Sequence, residues 1–263
     1  GISGPLGRLP FRSTALSTIT SLAIEWDVFA MPLGGVSDLP TYLATLFEAR
    51  EKSIRVELDG AGSGSFAVNR ASPECTEAIL AQGNLVKVRI PEIDTDYIFA
   101  FFLETGDFAL ISSDEAGGEM LTFGGRGNLC YLENAVAWSE SFLPAGADPS
   151  NGIWRAYAFG GGNEPGAILW RTVTEFTQAT RPQHPLALLT YDFDDNLDSD
   201  GNLWTDTDAT AEFSYQVGDD GLAILQRLLD AGHVLTVQMD PDFMLHGYNS
   251  LGRDLTGDTF GAG

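Results

Sequence analysis

The first half of the chain alternates apolar and polar residues in short runs, which is the pattern of half-buried β-strands. Turn-forming residues separate these runs. The sequence predicts strands at Trp26–Ala30, Ser53–Leu58, Phe66–Val68, Leu85–Ile90, Phe108–Ile111 and Met120–Phe123, and it leaves Tyr42–Arg50 open between helix and strand. Many short strands joined by frequent turns predict an antiparallel β-barrel or β-sandwich.

The segment Tyr97–Leu103 (YIFAFFL) departs from this alternation because it is apolar on both faces. A strand of this kind is buried on both sides, so another domain or another subunit must cover its second face. Since exposed apolar surface marks interaction sites, we predict that copies of the chain assemble through this strand. The predicted interface consists of Tyr97, Ile98, Phe99, Phe101, Phe102 and Leu103.

A glycine cluster follows the last predicted strand of this half, with Arg126 between Gly124, Gly125 and Gly127. Closely spaced glycines indicate a backbone that turns sharply or passes close to a neighbour, where a Cβ would be costly. We predict that the strand ends here, that the chain turns abruptly, and that a short helix follows. A backbone carbonyl or a carboxylate is expected to hold Arg126.

The second half mixes helical and strand patterns. Helix 219–232 begins at Asp219 or Asp220, which suit an N-cap, and it ends at Gly232. Its leucines recur at the spacing of one helical face. The other predicted elements are a helix at Glu164–Gln178, strands at Leu186–Phe193 and Ala211–Val217, and a hairpin of Val234–Met239 and Phe243–Tyr248 around Asp240-Pro241-Asp242.

These patterns predict a β-rich α+β protein with more than one unit. We divide the 263 residues into an N-terminal arm (1–25), a β-barrel-like or sandwich domain (26–140), a loop-rich connection with one helix (141–190) and a smaller α+β domain (191–263). No apolar run approaches the roughly 20 residues that span a membrane as a helix, so we predict no membrane span.

The chain is strongly acidic, with 37 Asp and Glu against 14 Lys and Arg and a formal net charge of -23. Such a charge repels nucleic acid, so binding of DNA or RNA through a basic face is not expected. The two cysteines, Cys75 and Cys130, are too few for a disulfide scaffold and form no C-x-x-C pair. We predict that both are free thiols.

The sequence offers few candidates for chemistry. The histidines His184, His233 and His246 form no H-E-x-x-H motif, and no G-x-S-x-G motif occurs. Asn196, Asp198, Asp200 and Gly201 match positions 1, 3, 5 and 6 of a calcium loop, but Thr207 stands where a bidentate Glu is needed. Calcium binding and a solvated acidic turn therefore remain alternatives for Asp192–Asp208. We predict no catalytic residue and no cofactor.

Four segments resemble the tail-hub proteins (minor tail or baseplate hub proteins) of long-tailed phages, especially phages of actinobacteria. The first is Leu121–Leu129 (LTFGGRGNL) at the glycine cluster. The others are the turn before a strand at Gly62–Phe66 (GSGSF), the strand at Gly83–Ile90 (GNLVKVRI), and a longer stretch containing Leu197–Trp204, Asp219–Gly232, Val234–Tyr248 and Gly252–Leu255. Together they extend over about Trp26–Thr256.

The resemblance implies a structural virion protein at the tail tip, assembled in the host cytoplasm, and not an enzyme. It implies a homotrimer that contacts the distal tail or tail-tube protein, the tape-measure protein, and tip or receptor-binding proteins. The hub would surround the path by which DNA leaves, and the acidic charge suggests an acidic wall there. A generally acidic surface is the alternative.

Two other functions remain open. A carbohydrate-binding β-module is suggested by Trp138, Trp154 and Trp170, which such a module would present on one exposed face. A hydrolase would need a polar cleft where acids or histidines converge.

Overall fold

We describe the protein from a computed structural model. The structure describes residues 24–32, 39–57, 59–92, 95–104, 110–112, 119–136, 153–158, 164–177, 186–205, 212–216, 218–232 and 235–249. It is a β-rich α+β protein, which confirms the predicted class. The N-terminal arm lies outside the described residues except for its last two positions.

The first unit consists of two four-stranded antiparallel sheets. The first sheet has the order β2-β1-β5-β6, with β1 at Glu25–Ala30, β2 at Thr41–Thr45, β5 at Leu85–Arg89 and β6 at Tyr97–Phe102. The second has the order β3-β4-β8-β7, with β3 at Arg50–Arg55, β4 at Ser63–Asn69, β7 at Leu110–Ser112 and β8 at Glu119–Arg126. Tyr42–Arg50, which the sequence left open, therefore contains a strand, a bend and the start of β3.

The two sheets enclose an aromatic core. Trp26 of β1 packs edge-on against Phe66 of β4 and Phe101 of β6, with ring centroids 5.9 and 5.6 Å apart. Successive residues of a strand point to opposite faces of the sheet, and these three rings all lie on inward-facing positions. The alternation in the sequence therefore produces this core. The other buried members are Val28, Leu46, Ala49, Val68, Val86, Val88, Phe99 and Leu103.

Strand β3 corrects one prediction. The alternation over Ser53–Leu58 predicted a half-buried strand, but β3 lies at Arg50–Arg55 and its side chains are mostly exposed. Val56 follows it at 71% exposure. The physical reason is the position of β3 at the edge of its sheet, where it pairs only with β4. Sequence alternation does not tell an edge strand from a covered one.

The second unit combines helices with two small sheets. Helices α1 (Pro165–Thr177) and α2 (Gly221–Gly232) confirm the predicted helices, and a 3-10 helix occupies Asn128–Asn134. Strands β10 (Thr190–Tyr191), β13 (Met244–Asn249) and β12 (Leu235–Met239) form one sheet in that order, and β11 (Glu212–Gln216) pairs with β9 (Ile153–Ala158) in the other. The antiparallel β12–β13 pair is the predicted hairpin.

Local sequence explains where α2 begins. The Asp220 carboxylate accepts a hydrogen bond of 2.8 Å from the backbone N–H of Ala223, which is the geometry of an N-cap. Leu222, Leu225 and Leu228 recur on the face that the structure buries. The apolar stripe therefore packs into the core of the second unit, as the sequence predicted.

The strand predicted at Leu186–Phe193 is wrong for most of its length. Leu186 begins a turn closed by a 3.0 Å hydrogen bond from Leu189 N–H to its carbonyl, and only Thr190–Tyr191 form a strand. Leu186, Leu189 and Phe193 are nevertheless buried. Burial without regular pairing explains the apolar run that suggested a strand. No described helix is long and apolar enough to cross a membrane.

Candidate functional site: the junction between the two units

The junction forms where the second unit covers the outer face of the first sheet. Phe99 and Phe101 of β6 point into the sandwich core, while Ala100 belongs to the core of the second unit and Phe102 packs against it. Phe102 lies 6.3 Å from the Tyr131 ring and 6.0 Å from the Phe243 ring. The second apolar face of β6 is thus covered by another part of the same chain.

This burial bears on the predicted assembly interface, which stays a prediction. Phe101 and Leu103 are almost completely buried within the described chain, and Phe99 is buried as well. Tyr97 and Phe102 are partly covered. Ile98 is 48% exposed. Of the six predicted interface residues, Ile98 therefore offers the most surface to a partner.

A polar cluster around the buried carboxylate of Asp27 lies at the edge of the junction. Asp27, on the outer face of β1, accepts hydrogen bonds from the hydroxyls of Thr45 and Tyr97, the latter at 2.8 Å. Arg89 lies 3.4 Å from the same carboxylate and 2.8 Å from that of Glu25. Burial and the hydrogen bond to Asp27 raise the pKa of Tyr97 well above its usual range, so this hydroxyl acts as a donor.

Lys87 connects the two units directly. Its ammonium contacts the Asp242 carboxylate in the β12–β13 turn and lies 5.4 and 5.3 Å from the ring centroids of Phe29 and Tyr97. The Lys87 side chain is 9% exposed, whereas that of Asp242 is 76% exposed. The aliphatic stem is therefore buried in the junction, and the charge meets its partner at the surface.

The glycine cluster lies where β8 approaches the first sheet. The predicted end of the strand at Gly124 is wrong, because β8 continues to Arg126. A Cβ on Gly125 would lie 1.9 Å from the carbonyl oxygen of Phe102, and one on Gly127 would lie 1.7 Å from that of Ala61. Close backbone approach explains these glycines.

The end of β8 also joins several elements. Arg126 donates to the carboxylate of Glu104 at 2.8 Å and contacts that of Glu133, so carboxylates hold it rather than a carbonyl. These hydrogen bonds raise its pKa above the usual range. Gly127 N–H donates to the Gly62 carbonyl at 3.1 Å. Asn128 then donates its side-chain amide to the Asp240 carbonyl in the hairpin.

A pocket of about 450 Å³ opens at the junction between β6, the segment after β3 and the β12–β13 hairpin. In its lining, the Nδ1 atom of His246 lies 2.8 Å from the Asp192 carboxylate, and its Nε2 atom lies 3.8 Å from that of Asp240. The pocket is lined by Val56, Glu57, Gly60, Ala61, Tyr97, Ile98, Phe99, Asn128, Leu129, Val237, Gln238, Met239, Asp240, Pro241, His246 and Tyr248. His184 and His233 lie outside the described residues.

The candidate calcium loop has the contacts of a self-bonded turn. The Oδ1 atom of Asp198 accepts hydrogen bonds from the N–H groups of Asp200 and Asn202 at 3.0 and 2.8 Å. Its Oδ2 atom accepts from the side-chain amide of Asn249 at 3.0 Å. These donors occupy the oxygens that a cation would need. Among the described residues, no group of three or more His, Cys, Asp or Glu is placed to hold a metal.

Both cysteines are free, as predicted. Cys130 is buried in the 3-10 helix, and burial raises the pKa of its thiol to about 12. Cys75 is partly exposed, and partial burial raises its pKa as well. Neither thiol is activated as a nucleophile, since activation requires a lowered pKa.

The carbohydrate-binding alternative, which rests on three tryptophans, receives little support from the described residues. Trp170 packs, partly buried, against the core of the second unit. Trp138 lies outside the described residues, as does the side chain of Trp154. The exposed face of three tryptophans that this alternative requires is therefore not formed by Trp170.

Sequence reasoning missed the polar residues of the junction. It gave no role to Asp27, Lys87 and Arg89, and it interpreted Asp242 only as part of a turn. One signal was present, because the chain has only two lysines and one of them interrupts the apolar strand β5.

No known protein family and no curated protein matches this chain. The solved structures to which this chain is similar include two tail proteins. A tail protein from Neisseria meningitidis MC58 is 13% identical, with a TM-score of 0.40, over 84% of this chain and 49% of that protein. The 43 kDa tail protein of prophage MuSo2 from Shewanella oneidensis is 10% identical, with a TM-score of 0.40, over 86% of this chain and 53% of that protein. The chain thus spans about half the length of each.

Proposed function

We propose that this chain is a structural protein of a phage tail, specifically the tail-tip hub that joins the tail tube to tip and host-binding proteins. The expectation that it belongs to the hubs of actinobacterial phages rests on the residue resemblance alone. In this proposal the junction, which we also call the seam, has the structural role of holding the two units together. The proposal assigns it no catalytic role.

The observation that carries the proposal is where the resembling segments meet. They are far apart in the sequence, yet each of the four contacts at least one of the others at the junction. Gly127, in the first segment, donates to Gly62 in the second. Lys87, in the third, pairs with Asp242 in the hairpin of the longest. A resemblance produced by composition alone would give no reason for these segments to converge on one seam.

The chemistry of the seam suits a scaffold. Its charged groups are engaged with one another, as the buried Asp27 is with Tyr97 and Arg89, and apolar rings fill the space between the units. Buried polar groups that bond to one another specify a single arrangement. A scaffold that transmits force between neighbours needs such a fixed arrangement.

In this proposal the partners are other copies of the chain, as a homotrimer, and the distal tail or tail-tube, tape-measure and tip proteins. We test the homotrimer by light scattering on the purified protein and by electron microscopy. The expected mass is three times 28.2 kDa, with three-fold symmetry and an open centre. A monomer at every concentration that binds glycans through Trp170 would support the carbohydrate-binding alternative instead.

The net charge of -23 leads to a second part of the proposal. A wall around a DNA path should repel phosphate, because cationic contacts hold DNA regardless of sequence. We expect acids per unit area on the inner wall of the ring to exceed those on its outer wall. An even distribution in an assembled structure would contradict the acidic wall and leave the hub role standing.

A further inference from the structure

The side chains that line the pocket at the junction are suited to binding a cation. Its lining contains the carboxylates of Glu57 and Asp240 and contains no lysine or arginine. Its volume of about 450 Å³ lies within the range of roughly 300–1,000 Å³ that is usual for ligand sites. Arg55 pairs with Glu57 at 3.0 Å, but both side chains are exposed, and such surface pairs exchange partners at little cost.

His246 adds an acceptor to the pocket. When its Nδ1–H donates to Asp192, Nε2 carries a lone pair and stands 3.8 Å from the Asp240 carboxylate. Two acceptors that face each other at this distance are both satisfied by one N–H-rich group placed against them. The other oxygen of Asp240 already accepts the N–H groups of Asp242 and Met244, so the turn holds the carboxylate in place.

The rest of the lining selects among cations. Tyr248 contributes an aromatic ring that stacks on that of His246 with centroids 6.2 Å apart, whereas the Tyr97 ring in the lining already has Lys87 and Arg89 beside it. A guanidinium stacks on such rings and donates in several directions at once, whereas an ammonium is a compact and strongly hydrated point charge. The geometry therefore favours arginine over lysine.

The rim indicates that the arginine comes from a protein. Val56 and Ile98 line the mouth and are 71% and 48% exposed. Exposed apolar side chains around a polar pocket resemble the surroundings of an interface anchor, where neighbouring contacts exclude water from a buried arginine. We propose that this pocket receives an arginine side chain, flanked by apolar residues, from a neighbouring protein chain. If the tail role holds, that neighbour is another tail protein. Only the identity of the neighbour depends on the proposed tail role.

The test uses the whole chain and a capped Leu-Arg-Leu tripeptide in an amide NMR titration. The expected result is a saturable shift of the backbone amides of Ile98, Gln238 and Met239. The matched peptide with citrulline, which keeps the shape and loses the charge, should bind at least about tenfold more weakly, because hydrogen bonds to charged groups are the stronger ones. Equal binding of the two peptides would overturn the proposal.

Variants locate the site. Glu57→Gln alters an exposed residue and should weaken arginine binding several-fold without affecting folding. Asp240→Asn keeps an oxygen for the turn, and the double variant should abolish measurable binding. Glu77→Gln, an equal change of charge at an exposed position outside the lining, should bind as the wild type does.

Three further outcomes would overturn the proposal. They are unchanged binding by the double variant, shifts confined to other surfaces, or spermidine binding more tightly than the peptide, which would indicate a site for small polycations. None of them would affect the tail role, which labelling of virions tests separately.

Discussion

At the scale of single residues, Lys87 shows how a charged side chain can contribute to stability by packing its carbon atoms. Its side chain is 9% exposed, its ammonium lies 5.4 and 5.3 Å from the ring centroids of Phe29 and Tyr97, and its partner Asp242 is mostly solvated. An ion pair with one solvated member contributes little, while the buried stem contributes as apolar surface does. The residue should therefore matter more for its carbon atoms than for its charge.

We predict that Lys87→Met lowers the free energy of unfolding by less than about 1 kcal/mol, because Met keeps most of the buried stem. Lys87→Ala should lower it by about 2 kcal/mol, because the stem is lost. Urea denaturation of both variants checks this. Equal losses in the two variants would indicate that the charge, and not the stem, holds the junction.

Gly125 gives a second prediction at this scale. Gly125→Ala should lower the free energy of unfolding by about 3 kcal/mol or more, because its Cβ would meet the Phe102 carbonyl oxygen at 1.9 Å and that contact is with backbone. Gly124→Ala is the matched control, because its Cβ would lie 2.9 Å from the Gly64 carbonyl oxygen, and it should cost about 1 kcal/mol. Thermal unfolding that ranks Gly124→Ala as the more damaging change would contradict the close approach of β8 and β6.

At the scale of elements, the acidic loop before β11 is held by Asp198. Burial raises the pKa of this carboxyl, but the N–H donors of Asn202 and Asn249 outweigh burial, so the pKa is lowered overall. A group whose folded pKa is depressed adds stability above its unfolded pKa, near 3.9, and loses that contribution as the pH falls through the folded pKa.

We therefore predict that Asp198→Asn destabilises the protein by about 1–3 kcal/mol at pH 7. It should also lose stability less steeply than the wild type between pH 4 and pH 2. Chemical denaturation across this pH range measures both effects. An unchanged slope in the variant would mean that Asp198 does not contribute to acid sensitivity.

Strand β6 gives a prediction about assembly. Ile98 is exposed while Phe101 is buried, so Ile98→Asp should leave the free energy of unfolding within about 0.5 kcal/mol of the wild type and reduce self-association. Phe101→Asp should instead prevent folding. Light scattering and denaturation of the two variants separate the effects. A folded Ile98→Asp variant that assembles normally would remove Ile98 from the interface.

The elements also show what the sequence could predict. Helices α1 and α2 and the β12–β13 hairpin follow from local patterns, since caps, apolar stripes and turn residues all agree there. Strand β3 and the run at Leu186–Phe193 could not be predicted, because whether an apolar side chain is covered depends on distant segments. The two apolar faces of β6 correctly predicted that a second group of residues covers the strand. Nothing in the local sequence identified these residues as part of the same chain.

The candidate site was less predictable than the fold. Contacts such as Lys87 with Asp242 join residues that are far apart in the sequence, and no spacing rule links them. The glycine cluster did indicate either a turn or a close approach. Only the positions of Phe102 and Ala61 decide between these, and both lie in other segments.

At the scale of the whole molecule, our central proposal is that this chain is a structural protein at the tip of a phage tail. The resembling segments converge on one seam, and that seam joins a β-sandwich to an α+β unit. A structural role at one end of the tail predicts a fixed location and a small copy number in the virion.

The most direct measurement is gold labelling of the virions to which the proposal assigns this chain, using antibodies raised against the purified protein. The account predicts label at the distal end of the tail, opposite the capsid, on most particles. Label along the tail shaft, label on the capsid, or virions that lack the protein by mass spectrometry would contradict it.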